Sequence, residues 1–164
     1  MQSYQDALAE TDPKNRPVLA PGSEAEKKAL AGFSNFYSTF STATLESDFD
    51  ELYARNAYFY DGIKDLRGKD RIKSYFRETL AAMHDATIVI DDVAISGGNY
   101  YVRWRMDFAL KRAPEDPIRA LGVTHLRFDA QGRIIFQHDF WDTSVIFEKL
   151  PVLGTLMQWI KKKI

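Results

Sequence analysis

Cysteine is absent from the 164 residues. That excludes disulfides, thiol nucleophiles and thiolate metal sites, and it agrees with a reducing compartment. A charge excess is missing too. Twenty-two basic residues stand against 23 acidic ones, for a net charge of −1, so no broad field recruits nucleic acid or an acidic partner. Histidine is scarce: His84, His125 and His138 are the only three, and they do not show metal-ligand spacing. No metal or cofactor is expected. No apolar run approaches the roughly 20 residues that span a bilayer. The opening MQSYQDALAETDPK has neither the basic start nor the apolar stretch of a secretory signal. A soluble, cytoplasmic protein is expected.

What is present suits one domain with a substantial core, at 45% hydrophobic and 27% charged residues. Pro13, Pro17 and Pro21 interrupt residues 1–22, which read as an irregular arm. Ser23, with Glu24 and Glu26 behind it, starts a helix. Leu30, Phe33, Phe36, Tyr37 and Phe40 then recur at helical spacing over 24–42. Ser47 and Asp48 cap a short second helix carrying Phe49, Leu52 and Tyr53. Residues 57–60 read as an aromatic strand closed by an Asp61-Gly62 turn. A third helix follows Gly68, with Ile72, Phe76, Leu80 and Met83 on one face. Strands are predicted over 87–95, 100–110, 118–128 and 133–141, with a Gly97-Gly98-Asn99 hairpin turn and a loop at 113–117. Helices first and antiparallel hairpins after them define an α+β chain. Its main domain covers 23–142, and a helical extension covers 143–164. In that extension TLMQWIKKKI is amphipathic. Capping the domain or a dimer partner is its ordinary role, and contact with a membrane surface is the less expected one.

The stretch GVTHLRFDAQGRIIFQHDFWD organises the rest. Taking Phe128 and Arg133 as the last opposed pair, Thr124 faces Gln137 and Gly122 faces Asp139. One face then holds Gly122, Thr124, Leu126 and Phe128 with Ile135, Gln137, Asp139 and Trp141. The other holds Val123, His125 and Arg127 with Ile134, Phe136, His138 and Phe140. If the helices cover the first face, Asp139 is a carboxylate on an apolar wall and its pKa should rise. Gly122 opposite it would leave room for a ligand. Trp104, Met106, Phe108, Gln137 and Trp141 join Gly122 as expected ligand-binding positions. Arg103 and Arg105 alternate away from Trp104 and Met106 and are expected outside.

FYSTF in the first helix, LYARNAYFYDG, the Arg-Gly before the third helix, and RFDAQGRI followed by Phe-Trp resemble the nuclear transport factor 2-like superfamily. That superfamily includes ketosteroid isomerases, SnoaL-type polyketide cyclases and limonene epoxide hydrolases. The resemblance covers about residues 24–142. It implies a cone fold in which a curved, mostly antiparallel sheet wraps helices around a deep pocket. By resemblance to the isomerases, Tyr37 is a donor to an oxyanion and Asp61 a proton-transferring base. The second, acidic donor of that family is replaced here by Thr124, and Asp139 adds a carboxylate across the cavity. The implied function is binding of a small apolar or oxygenated ligand, with cofactor-independent acid/base isomerase, cyclase or lyase chemistry at Asp61, Tyr37, Asp139 and Thr124. The competing class is a non-catalytic binding or interaction module. An epoxide hydrolase would need a carboxylate–arginine–carboxylate set, for which no inward arginine is expected. A homodimer through the outer sheet face is the expected assembly.

Overall fold

The computed structural model describes residues 2–149 together with 159 and 163. Helix α1 (Gln2–Glu10) and a 3-10 turn (Pro13–Asn15) lead into α2 (Glu24–Ser38), α3 (Thr42–Ser47) and α4 (Phe49–Leu52). Strands β1 (Tyr53–Tyr60) and β2 (Asp65–Arg67) precede helix α5 (Lys69–Ala82). Strands β3 (Met83–Ser96), β4 (Asn99–Leu110), β5 (Ala113–Phe128) and β6 (Ile134–Trp141) follow, with a short α6 (Ser144–Phe147) after them. The six strands form one curved sheet in the order β2-β1-β6-β5-β4-β3. All neighbours are antiparallel except β1 and β6. This is the α+β cone expected from the sequence. Among the described residues no helix is long and apolar enough to cross a membrane.

Local chemistry explains the main boundaries. Ser23 caps α2 by accepting from Glu26 N, and the Glu26 carboxylate accepts in turn from Gly22 N and from the Tyr100 hydroxyl on β4. That ties the start of the helix to the sheet. Gly97 and Gly98 both have positive φ, which closes the two-residue β3–β4 hairpin. The inner face of the sheet packs Tyr100, Val102, Leu126, Phe128 and Ile134 against Phe33 and Phe36 of α2, Phe49 of α4 and Phe76 of α5. Burial of these large side chains drives this packing.

Several expectations are corrected. Residues 113–117 belong to strand β5 rather than a loop: the β4 partner and the apolar Ile118 and Ala120 beyond it extend the ladder back across two prolines at its start. Tyr53 opens β1 instead of closing a helix. The arm expected to be irregular begins with helix α1, which lies on the outer face of the sheet. There Ala7 and Tyr4 pack on Tyr58 and Phe136. Arg127 Nη1 donates to Leu8 O at 2.7 Å and to Thr11 Oγ1 at 2.9 Å, securing the end of the helix. The prolines that break the chain all lie after α1, so they end it without preventing it. The expected C-terminal helix lies outside the described residues, apart from Trp159 and Lys163, whose Nζ sits 5.4 Å from the Trp159 ring centroid.

The register of the last hairpin is shifted by two residues from expectation. Asp129 N donates to Arg133 O, and the Asp129 carboxylate accepts from Gln131 N and Arg133 N, so the turn holds three residues with Gly132 at φ 80°. A bulge then inserts Ile135 between Phe128↔Ile134 and Arg127↔Phe136. Each change moves the pairing by one, and the second restores the face that the first would have reversed. Thr124 therefore opposes Asp139, Gly122 opposes Trp141 and Gln137 opposes Leu126. Ile134, expected outside, joins the helix-facing core cluster, and the bulged Ile135 is buried outside that cluster.

Candidate functional site

The cone encloses a cavity of about 140 Å³. That is the scale of cavities that hold a benzene-sized molecule. Its wall is mostly apolar: Phe33 and Phe40 from the helical side, Phe59 from β1, Phe76 from α5, Ile88 and Ile90 from β3, and Met106 and Phe108 from β4. Ile63, 40% exposed, lies at the mouth. Polar side chains reach the cavity from five elements or their ends. They are Tyr37, Asp61, Tyr75, Thr79, Thr124 and Asp139, accompanied by Trp104 and Trp141.

Asp139 is the centre of the polar cluster. Its Oδ1 accepts from Thr124 Oγ1 at 2.7 Å and Gln137 Nε2 at 3.0 Å, while Oδ2 receives only the longer 3.2 Å contact from Gln137. Thr124 itself accepts from Trp104 Nε1 at 2.9 Å. Burial pushes the Asp139 pKa up to about 7, against the two hydrogen bonds, and the nearby Asp61 charge adds to the rise. Close to neutrality Asp139 is therefore part carboxylic acid. Since Oδ1 already serves two donors, the proton belongs on Oδ2.

A second set of bonds closes on itself. Gln137 Nε2 donates to the Tyr37 hydroxyl at 2.9 Å, Tyr37 lies 2.8 Å from the Tyr53 hydroxyl, and Tyr53 donates to Gln137 Oε1 at 2.5 Å. With Tyr37 donating to Tyr53, every member gives and receives, a cooperative ring. Burial first, then the Asp139 charge, raises the Tyr37 pKa far above its ordinary value, and burial does the same to Tyr53. Both stay phenols.

Asp61 sits just after β1. Its Oδ1 accepts from Ile63 N and Lys64 N at 2.9 and 2.8 Å, a turn held by its own side chain, and Oδ2 accepts from the Tyr75 hydroxyl at 2.6 Å. Trp141 Nε1 donates to Asp61 O, fastening the end of β6 to this turn. Burial, then the Asp61 charge, raises the Tyr75 pKa well above ordinary.

Tyr37, Asp61, Thr124, Asp139, Trp104, Met106, Phe108 and Trp141 thus share one cavity. Two positions differ. Gln137 is fully buried behind Asp139 rather than facing the cavity, and Gly122 does not line it. A Cβ on Gly122 would stand 2.3 Å from the Trp104 ring, so the glycine makes room for that ring and not for a ligand. Thr124 and Tyr37 were expected to donate to a bound oxygen, but their protons are directed to Asp139 and Tyr53. Tyr75 and Tyr53 were missed. Tyr75 adjoins Phe76 on a helix face read only for its apolar residues, and Tyr53 was placed on the wrong element. Arg103 and Arg105 point outward to Asp92 and Asp91, and no arginine is among the described residues lining the cavity. Among the described residues no three histidine or acidic side chains group as a metal site.

A cone-shaped α+β fold with a small, mainly apolar cavity and an acidic cluster inside it defines the class. The chain belongs to the SnoaL-like domain family, whose pattern matches residues 33–137. Solved structures agree on the fold. An LEH-like epoxide hydrolase of M. tuberculosis is 14% identical with a TM-score of 0.62, covering 79% of this chain and 87% of its own. The epoxide hydrolase/cyclase-like enzyme SalBIII, with a role in pyran ring formation in salinomycin, is 15% identical with a TM-score of 0.62 over 74% of this chain and 96% of its own. A ketosteroid isomerase-like fold from Catenulispora acidiphila DSM 44928, in complex with trimethylamine, is 16% identical with a TM-score of 0.62 over 73% and 89%. No curated protein matches the sequence.

Proposed function

We propose that the protein binds a compact, apolar molecule carrying one oxygen function and converts it by acid/base chemistry, as an isomerase. The observation that carries this is the pairing of Asp139, part protonated with a free Oδ2, and Asp61 on one apolar cavity. In the reaction, Asp139 Oδ2–H donates to the ligand oxygen. Asp61 Oδ2 takes a proton from the carbon beside the carbonyl, and the electron pair moves onto that oxygen. The proton then returns from Asp61 to a different carbon of the conjugated enol as the electron pair comes back from the oxygen and Asp139 Oδ2 recovers its proton, so that a double bond has moved. The cavity volume suits about one ring, well short of a fused tetracycle. The SnoaL-like membership and the cyclase-like neighbour support a ligand of this kind. The outward Arg103 and Arg105 speak against an arginine-assisted epoxide opening.

The test is turnover of a panel of small cyclic enones and unsaturated ketones, followed by gas chromatography and mass spectrometry. Asp61→Asn and Asp139→Asn should each lower the rate by about 10²-fold or more. The rate should also fall as pH rises above about 7, where Asp139 loses its proton. One observation favours a second reading, a non-catalytic binder: the Tyr37 and Thr124 hydroxyl protons are already engaged within the protein. Tight binding of these ketones without any turnover would select it. We also propose that two copies pair through the part of the outer sheet face that α1 leaves open, where Leu121 is 68% and Phe140 48% exposed.

A further inference from the structure

Among the described residues, no cation stands with the two carboxylates of the cavity. Asp61 and Asp139 both face the cavity, while no lysine, arginine or histidine is among its described lining residues. Each carboxylate also leaves one oxygen incompletely used. Asp61 Oδ1 accepts two backbone N–H groups and Oδ2 only the Tyr75 hydroxyl. Asp139 Oδ1 accepts Thr124 and Gln137, and Oδ2 only a 3.2 Å contact. A carboxylate oxygen has room for two donors. So the polar end of the cavity offers unused acceptor capacity on two acidic side chains, and among the described residues that line it no unengaged donor serves a second ligand oxygen. Trp104 Nε1 and Trp141 Nε1 are already given to Thr124 and Asp61 O. Around this end stand the rings of Phe59, Tyr75, Phe76 and Trp104, and aromatic faces attract a desolvated ammonium.

We propose that the cavity is also a receptor for small apolar primary or secondary amines, bound as ammonium ions that donate N–H to Asp61 Oδ2 and Asp139 Oδ2 with the hydrocarbon body against Met106, Phe108 and Ile90. The inference rests on the reading that this cavity is the ligand site, and not on any catalysis there. It has the opposite proton linkage to the oxygen ligand. A carbonyl or hydroxyl ligand needs the proton on Asp139, whereas an ammonium favours its loss, so the two classes should respond to pH with opposite sign. The groups that face Asp139 are Tyr37 from α2, Tyr53 from β1, Asp61 after β1, Tyr75 from α5, and Thr124 and Gln137 from the sheet. The three tyrosines titrate far above this range, so Asp139 carries the dependence.

The experiment is calorimetric titration of the full chain with cyclohexylamine, N-methylcyclohexylamine and neutral cyclohexanone at pH 6, 7 and 8. The two amines should bind about tenfold more tightly at pH 8 than at pH 6, as one ion pair forms in place of a proton, with proton release on binding at pH 6. Cyclohexanone should weaken over the same range. Asp139→Asn should remove the pH dependence of both, and the wild-type slopes stand even if that variant folds poorly. Amine affinity that is independent of pH, or cyclohexanone binding while the amines do not bind, overturns the inference and leaves the proposed function in place. Failure of all three ligands overturns both.

Discussion

At the scale of single residues, the site turns on where the protons of five side chains go. The Thr124 hydroxyl serves Asp139 instead of a ligand. Asp139 thereby becomes the group that meets the cavity. Its cost to the fold is readable. A carboxyl whose folded pKa is raised binds its proton more tightly when folded, so its contribution to stability is full at low pH and declines as pH rises past the ordinary value of 3.8 to about 7. At about 1.4 kcal/mol per pH unit, wild type should lose on the order of 2–4 kcal/mol relative to Asp139→Asn between pH 4 and pH 8. Urea denaturation of both proteins across that range measures it. Parallel curves would show that Asp139 ionises in the folded protein as it does in the unfolded chain. The raised pKa was legible in the sequence from a carboxylate on an apolar strand face. Its partners were not, because they depend on register.

At the scale of elements, α1 and the last hairpin are where the fold departs from its sequence pattern. Helix α1 has a weak apolar stripe, and nothing in its own residues names the face it covers. Arg127 supplies the answer: it stacks over Phe136 at 5.4 Å and donates to Leu8 O and Thr11 Oγ1. Hydrogen bonds from a charged donor contribute about 1.5–3 kcal/mol. Arg127→Met should therefore release α1 locally, and hydrogen exchange should show the amides of residues 5–11 at least tenfold less protected while those of β4 stay unchanged. Equal protection in both proteins would mean that the apolar contacts of Ala7 and Tyr4 hold the helix unaided. In the hairpin, the tighter Asp129 turn and the Ile135 bulge each shift the pairing by one residue. A face assignment survived because the two shifts cancel, which no count of residues between strands could have revealed.

At the scale of the whole molecule, one side of the sheet closes around the cavity and the other is only half covered. Val89, Tyr101, Leu121 and Phe140 remain exposed on that outer side, which also carries the Arg103–Asp92 and Arg119–Asp107 pairs. Surface ion pairs of this kind contribute little to stability by themselves, whereas exposed large apolar side chains on one face suit a partner surface. Light scattering after size exclusion should give a dimer mass for wild type and a monomer mass for Leu121→Glu, with the cavity's ligand binding retained. A monomeric wild type would end the pairing proposal.

The α+β class, the helix starts at Ser23 and Gly68, the alternation of β4 and the acidic character of the inner wall were all determined by the sequence alone. They depend on periodicity and on capping chemistry within a few residues, which a linear chain displays directly. Only the tertiary structure decided that Thr124 opposes Asp139, that Gly122 shelters Trp104, that Tyr75 holds Asp61 and that Gln137 stands behind the acid. Those relations, like the Tyr37–Gln137 bond across 100 positions, are set by a bulge, a turn and the close packing of rings, whose outcome is a property of the folded whole.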